Sequence, residues 1–294
     1  MLYSMSNWIY DLGQEPLETT FQRLKRYGYD GVELIGEPQQ YDVAEVRRLC
    51  MRYSMRVLSV LSWCIAPTES RDLAHPDPSI HENSIAYVRQ SIDLASALGA
   101  EIVIVIPAPA GRTTPAGDAS TDELWQAAYE REWRNAVEGV QTVAAYAEGK
   151  RMLLAIEPIN RYETFLINNI DQGLRFVKEV SSPAVKLHLD AFHMNIEEKD
   201  LAEAVRRAGS LLVNMHLADS TRGPVGSGST DFPAIFRALK EIGYSGPLTL
   251  EPSPPHPNGI MAARSHAFVP LRDEYAAQSI ARLRECEREG GGPV

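Results

Sequence analysis

Four side chains able to bind a metal or move a proton fall at the ends of short apolar runs. Glu157 closes MLLAIE, Asp190 closes VKLHLD, His216 lies in LLVNMHL and Glu251 closes PLTLE. The intervals between them are 33, 26 and 35 residues. A charged group at the end of an apolar run is costly to bury unless it is paired or bound to a cation. One such residue reads as a solvated strand-end acid or a satisfied core histidine; four at equivalent positions read as one site. Two Glu, one Asp and one His form an oxygen-rich donor set that suits Mn²⁺, Co²⁺ or Mg²⁺ better than a thiolate-seeking metal, with zinc also acceptable. Three further polar residues follow closely: Glu163 six after Glu157, His193 three after Asp190 and Arg222 six after His216. Converging over a metal they can grip a hydroxylated substrate. The competing reading is surface pairing, for example Glu163 with Arg161 or Arg222.

The elements that must position these residues are legible as alternating short apolar runs and longer helical patterns. Strands are expected at Tyr3–Trp8, Gly31–Ile35, Val57–Trp63, Ile102–Pro107, Met152–Glu157, Val185–Asp190, Leu211–Leu217 and Pro247–Glu251. The helical stretches between and after them are Leu17–Tyr27, Val43–Tyr53, Ser84–Leu98, Asp122–Glu148, Ile170–Val180, Leu201–Ala208, Phe232–Ile242 and Arg272–Glu289. Asp42, Thr121 or Asp122, Asn169, Asp200 and Asp231 stand where N-caps belong, and Gly28, Gly99, Gly209 and Gly243 where helices end. Continuous apolar strands imply burial on both faces and a parallel sheet. Eight such units in 294 residues fit a single (β/α)8 barrel domain over 1–294, with 290–294 a frayed tail. No GxGxxG follows the first strand, which argues against an open doubly wound sheet. The Pro/Gly-rich stretches 107–120 and 252–269 follow strands and so belong over the C-terminal face of the barrel, where active sites sit.

Composition removes several classes of function. The formal net charge is −10 and no long Lys/Arg run exists, so a grip on nucleic-acid phosphates is not expected. Three distant cysteines, Cys50, Cys64 and Cys286, form neither a disulfide framework nor a CxxC zinc site. The apolar runs are too short to span a bilayer and the N-terminal residues lack the pattern of a signal peptide. A cytoplasmic enzyme is expected.

The segments AIEPINRYETFLINN, HLDAFHMNIEEKD, MHLADSTRGPVGSG and PLTLEP resemble the ketose 3-epimerases, the D-tagatose and D-allulose (psicose) 3-epimerases of the xylose-isomerase-like barrel superfamily. The resemblance covers the fifth to eighth strands by motif. The first half matches by architecture, apart from an opening like SNWIY…GYDGVEL. It implies one divalent metal, Mn²⁺ or Co²⁺ and then Mg²⁺, held by Glu157, Asp190, His216 and Glu251. It implies that Glu157 and Glu251 are also the acid/base pair, that Glu163, His193 and Arg222 bind the O1 to O3 end of the sugar, and that the protein is a homodimer or homotetramer.

The chemistry suits those residues. Epimerisation at C3 of a ketose removes a proton beside the C2 carbonyl and returns one to the opposite face through an enediolate, so a carboxylate on each face is needed. A metal gripping O2 and O3 stabilises the developing charge. A hydride-shift isomerase of the superfamily uses two metals and extra acids, and only one four-ligand set is visible here. Trp8 and Cys64, near the ends of the first and third strands, are candidates to wall the far end of the sugar, as are Trp125 or Trp133. Glu33, near the end of the second, either reaches the pocket or caps a loop. The loop GPVGSGSTDF can cradle a phosphate or simply turn into the Asp231 N-cap; with no lysine nearby, a free sugar is expected. The four-ligand pattern is common to the superfamily, so a hydroxypyruvate- or inosose-type isomerase, a sugar phosphate isomerase and, remotely, an endonuclease-like phosphodiesterase share it.

Overall fold

A computed structural model describes residues 1–10, 15–62, 71–256, 263, 265 and 268–289. Eight strands form one parallel sheet: β1 Leu2–Met5, β2 Gly31–Ile35, β3 Arg56–Leu61, β4 Ile102–Val105, β5 Leu153–Ile156, β6 Val185–Asp190, β7 Leu212–Leu217 and β8 Pro247–Leu250. Helices among the described residues are α1 Leu17–Tyr27, α2 Val43–Tyr53, α3 Pro78–Leu98, α4 Asp122–Lys150, α5 Ile170–Val180, α6 Ala191–Glu197, α7 Leu201–Ala208, α8 Phe232–Glu241 and α9 Val269–Glu289. The hydrogen-bonded order β1-β8-β7-β6-β5-β4-β3-β2 follows the chain around a nearly closed barrel. The seam between β1 and β2 holds a single bridge, Ser6 to Glu33. Two side chains stitch it further: Asn7 Oδ1 accepts from Ile35 N at 3.0 Å and Asp30 Oδ2 from Tyr3 N at 2.9 Å.

The strands β2, β4 and β8 are buried at every residue, as continuous apolar runs in a parallel sheet require. On β6 to β8 the two-residue pleat puts polar groups on one face: His188 with Asp190, Asn214 with His216, Thr249 with Glu251. Register pairs Asp190 with His216 and His188 with Asn214 across β6 and β7. Ser4 and Thr249 hydroxyls meet at 2.7 Å across β1 and β8. A polar layer therefore lies beneath the acidic one, inside a barrel otherwise packed with Leu, Ile and Val.

The expected caps form. Asp42, Thr121, Asn169, Asp200 and Asp231 each accept a hydrogen bond from the first turn of the helix that follows, which satisfies donors the helix cannot. Three differences from expectation bear on the site. β1 ends at Met5, and Trp8 lies in a short 3₁₀ turn over Asn7–Tyr10. The helix α3 begins six residues before Ser84, because Asp77 caps it and Pro78 occupies its first position. The helix α6 is extra: Asp190 ends β6 and at once caps α6, accepting from Phe192 N at 2.8 Å. A seven-residue helix fused to a strand leaves too little periodicity to be read separately. Trp63, Cys64 and the tail 290–294 lie outside the described residues. No helix among the described residues is long and apolar enough to cross a membrane.

The segment after β4 is pinned across the loop after β5. Gly111 N donates to Glu163 O at 2.7 Å and Arg112 bridges to Thr164. Arg112 reaches Glu132 Oε2 at 2.6 Å and Asp72 Oδ2 at 2.7 Å, with its guanidinium 4.6 Å from the Phe165 ring centre. Glu132 is fully buried and Asp72 is 2% exposed, so loss of the arginine strands two acids. Arg112→Ala is expected to lower unfolding free energy by about 3–5 kcal/mol in chemical denaturation. A variant as stable as the parent would show that these acids take up a proton without cost.

Candidate active site

The four acceptors at the C-terminal ends of β5 to β8 are all buried: Glu157 4%, Asp190 1%, His216 1% and Glu251 2% exposed. Donor atoms of Glu157, Asp190 and His193 lie within 4.8 Å of one another, as do those of Glu33, His216 and Glu251, and those of Glu157, His188 and His216. The groups share members and form one continuous cluster. Arg222 spans it, with Nη1 2.5 Å from Asp190 Oδ2 and Nη2 bonded to Glu251 Oε2. The guanidinium stacks 4.7 Å above the Phe192 ring.

The charges explain the titration pattern. Burial, with the nearby charges of Asp190 and Glu251 adding to it, pushes Glu157 well above the usual carboxylate range against the pull of His216. Burial pushes Asp190 and Glu251 the same way, but Arg222 and His216 beside both, with His193 beside Asp190, outweigh it and hold both acids low. His216 behaves oppositely. Burial disfavours its proton, yet Glu251 and Glu33 hold it well above the usual histidine range. Desolvation leaves His193 and His188 depressed.

This donor set fits a divalent cation. Four buried carboxyl groups, those of Glu33, Glu157, Asp190 and Glu251, face the Arg222 guanidinium and the His216 imidazole. One of them, Glu157, holds its proton more tightly than an ordinary glutamate. His216 Nδ1 lies 3.2 Å from Glu251 Oε2 but makes no directed hydrogen bond. Its other nitrogen is fixed: Nε2 donates to the Glu33 carboxylate at 3.0 and 3.1 Å, and Ser59 Oγ donates to Glu33 Oε2 at 2.6 Å. That chain turns Nδ1 toward the acids, as a carboxylate orients a metal-binding histidine.

The remaining candidates fall around this cluster. Trp8 donates its indole N–H to Glu251 Oε1. His193, on α6, lies 3.6 Å from Asp190 and 4.0 Å from Glu157 through Nε2. Its Nδ1 meets Asn160 Nδ2 at 2.7 Å and Asn160 N at 3.4 Å. Two donors there put the imidazole proton on Nε2, facing the acids. Glu163 is half-buried at the rim, accepts from Asn160 Nδ2 at 2.9 Å and lies 3.9 Å from His193 Nδ1. Arg161, its alternative partner, pairs with Glu197 instead. Cys64 lies outside the described residues. Trp133 is core: it packs edge-on against Phe176 and donates to Glu179 at 2.6 Å. Trp125 stacks on Tyr129.

The glycine-rich segment after β7 is not an open phosphate cradle. The Asp219 carboxylate accepts from Ser220 N at 2.8 Å, Gly226 N at 2.8 Å and Thr230 N at 3.1 Å. Burial acts against its charge, but these amides with that of Gly228 hold it below the usual carboxylate range. The loop's donors are thus filled from within. Arg222 lies in the same loop at φ 60°, a left-handed conformation that costs a residue with a Cβ roughly 1–2 kcal/mol.

Five contributors lay beyond plain strand-end reasoning. Glu33 was legible only as a candidate; its partner His216 is 183 residues away. His188 and Asn214 carried a signal, polar residues two before Asp190 and His216 on the same face of the pleat. Asn160 and Asp219 carried none, because a loop's internal hydrogen bonds have no period.

Residues 21–286 match the family described as xylose isomerase-like TIM barrel. An L-ribulose 3-epimerase of Methylomonas sp. (strain DH-1) is 38% identical over 228 residues, 77% of this chain and 74% of that one. A D-psicose 3-epimerase of Ruminiclostridium cellulolyticum is 29% identical over 79% of this chain and 76% of its own. The crystal structure of a D-allulose 3-epimerase from Methylomonas sp. in complex with D-allulose superposes with a TM-score of 0.80, at 30% identity, over 97% of this chain and 96% of that chain. The barrel is that of the superfamily, and these relatives place the chain among its isomerases. The chain belongs to the ketose 3-epimerases of the xylose isomerase-like TIM barrel family.

Arg222 is the cation on which Asp190 and Glu251 depend. In protein stripped of metal by chelator, Arg222→Ala is expected to lose about 3–5 kcal/mol of unfolding free energy. A loss below 1 kcal/mol, measured by denaturation, would show that the acids do not need it.

Proposed function

We propose that the protein interconverts free ketoses at C3 by proton abstraction and return. Glu157, Asp190, His216 and Glu251 hold one divalent metal, Mn²⁺ or Co²⁺ before Mg²⁺. When bound, the metal supplies Lewis-acid stabilisation of the negative charge that develops on the sugar oxygens. The observation that carries the reading is the convergence of Glu157 and Glu251 on one buried spot from β5 and β8, with Asp190 and His216 between them, in a chain of this family.

Glu157 and Glu251 act as acid and base. One removes the C3 proton and the other delivers a proton to the opposite face, their roles exchanging with the direction of reaction. The Trp8 N–H on Glu251 fixes which of its oxygens faces the substrate. Arg222, whose guanidinium lies over Asp190 and Glu251, polarises the C2 carbonyl. His193, with its proton on Nε2, donates to a sugar oxygen, and Glu163 at the rim orients a hydroxyl. The names of the relatives cover L-ribulose and D-psicose, so pentulose and hexulose are both in scope. A free sugar is favoured over a phosphate because the Asp219 carboxylate already takes the β7 loop amides. Homodimeric or homotetrameric assembly in the cytoplasm belongs to this reading.

The test is proton NMR of D-fructose, D-tagatose and D-ribulose with Mn²⁺-loaded protein in D₂O. Deuterium at C3 with a new epimer is expected, and Glu251→Gln should cut that rate by about 10²–10⁴-fold. Deuterium at C1 with an aldose product would overturn C3 chemistry, and a Glu251→Gln enzyme near full rate would overturn the two-carboxylate mechanism. Glu33→Gln keeps the shape but removes the charge behind His216. Its Mn²⁺ affinity by calorimetry is expected to fall about 10–100-fold, and an unchanged affinity would remove Glu33 from the design of the site.

A further inference from the structure

Asp219 is fully buried, charged and unused by the reaction proposed above. Its side chain sits in the middle of the loop between β7 and α8 and ties the two limbs together. One limb contributes Ser220 N; the other contributes Gly226 N and Thr230 N. Gly228 packs so closely that an added Cβ would lie 2.4 Å from Asp219 Oδ1 and 2.4 Å from Ser220 Oγ. The second limb is therefore built to clasp this carboxylate.

The main chain of the same residue carries Arg222. Asp219 O accepts from Arg222 N at 2.8 Å, and Asp219 N donates to Gly223 O at 3.0 Å. These two bonds enclose a turn in which Arg222 takes φ 60°. Arg222 O then accepts from Ser253 N at 2.7 Å, beyond β8. A residue with a Cβ stays in that conformation only when its surroundings over-determine it. Its guanidinium is the group that reaches Asp190 and Glu251.

We propose that Asp219 is the positioning residue for Arg222: its buried carboxylate closes the β7 loop into the shape that holds Arg222 in its left-handed conformation and aims the guanidinium into the active site. The inference rests on the ketose reading for its kinetic test and on geometry alone for its structural one.

Asp219→Asn keeps the volume and sets an amide N–H against a loop N–H. With a ketose that the wild type turns over, KM is expected to rise about tenfold or more, since small misplacement of a substrate-binding group is costly. The change in kcat should be smaller. Gly228→Ala, pressing on the carboxylate from the other limb, should give the same split. Asp231→Ala removes the α8 N-cap in the same segment and should lower thermal stability without moving KM. A wild-type KM in Asp219→Asn, or an equal rise in Asp231→Ala, would overturn the proposal. A crystal structure of Asp219→Ala reads the position without turnover. Arg222 should leave φ near 60° and release Asp190 and Glu251, and an unmoved Arg222 would overturn the proposal. If the wild type epimerises no ketose while Asp219→Ala displaces Arg222, the functional reading fails and the positioning role stands.

Discussion

The burial of four carboxyl groups at one end of a parallel barrel is the constraint around which this structure is arranged. Each ionised carboxylate costs several kcal/mol to withdraw from water unless charge and hydrogen bonds compensate it. The protein supplies Arg222 across Asp190 and Glu251, His216 between Glu251 and Glu33, and an indole N–H on Glu251. That compensation is uneven: burial, with Asp190 and Glu251 nearby, pushes Glu157 well above the usual carboxylate range. A buried cluster with more acids than cations has the donors that a divalent cation takes.

The same device, a buried carboxylate taking backbone N–H groups, recurs in the loops that roof the barrel. Glu132 receives Ala116 N from the loop after β4. Glu197 receives Arg161 N from the loop after β5, and Asp219 organises the loop after β7. Loops cannot satisfy their amides through a ladder, and a buried unsatisfied amide is expensive. An internal acid solves the problem at one point and fixes the loop's shape. The arrangement fixes the loops that carry Glu163 and Arg222 beside the acids.

The barrel separates the tasks. The strand ends carry the acids that face the reacting carbon, and their spacing is set by the sheet register, which pairs Asp190 with His216 directly. The loops carry Glu163 and Arg222, and the Asp219 carboxylate that takes the amides of the β7 loop.

Much of this was determined by the sequence alone. Continuous apolar runs defined the strands, cap residues defined five helix starts, and the residues closing β5 to β8 defined the acidic ring, because each of these is a local pattern. The tertiary structure decided the rest. Glu33 meets His216 across the barrel only because β2 and β7 face each other through its interior. Trp8, a plausible wall residue by position, becomes a hydrogen-bond donor to Glu251 because the chain leaves β1 at Met5 and turns. The glycine-rich segment after β7 read as a cradle or a turn, and Asp219 closes it because that carboxylate folds back on amides up to eleven residues ahead. Periodicity reports which face of an element a side chain takes. Only closure of the barrel and folding of its loops decide what that side chain meets.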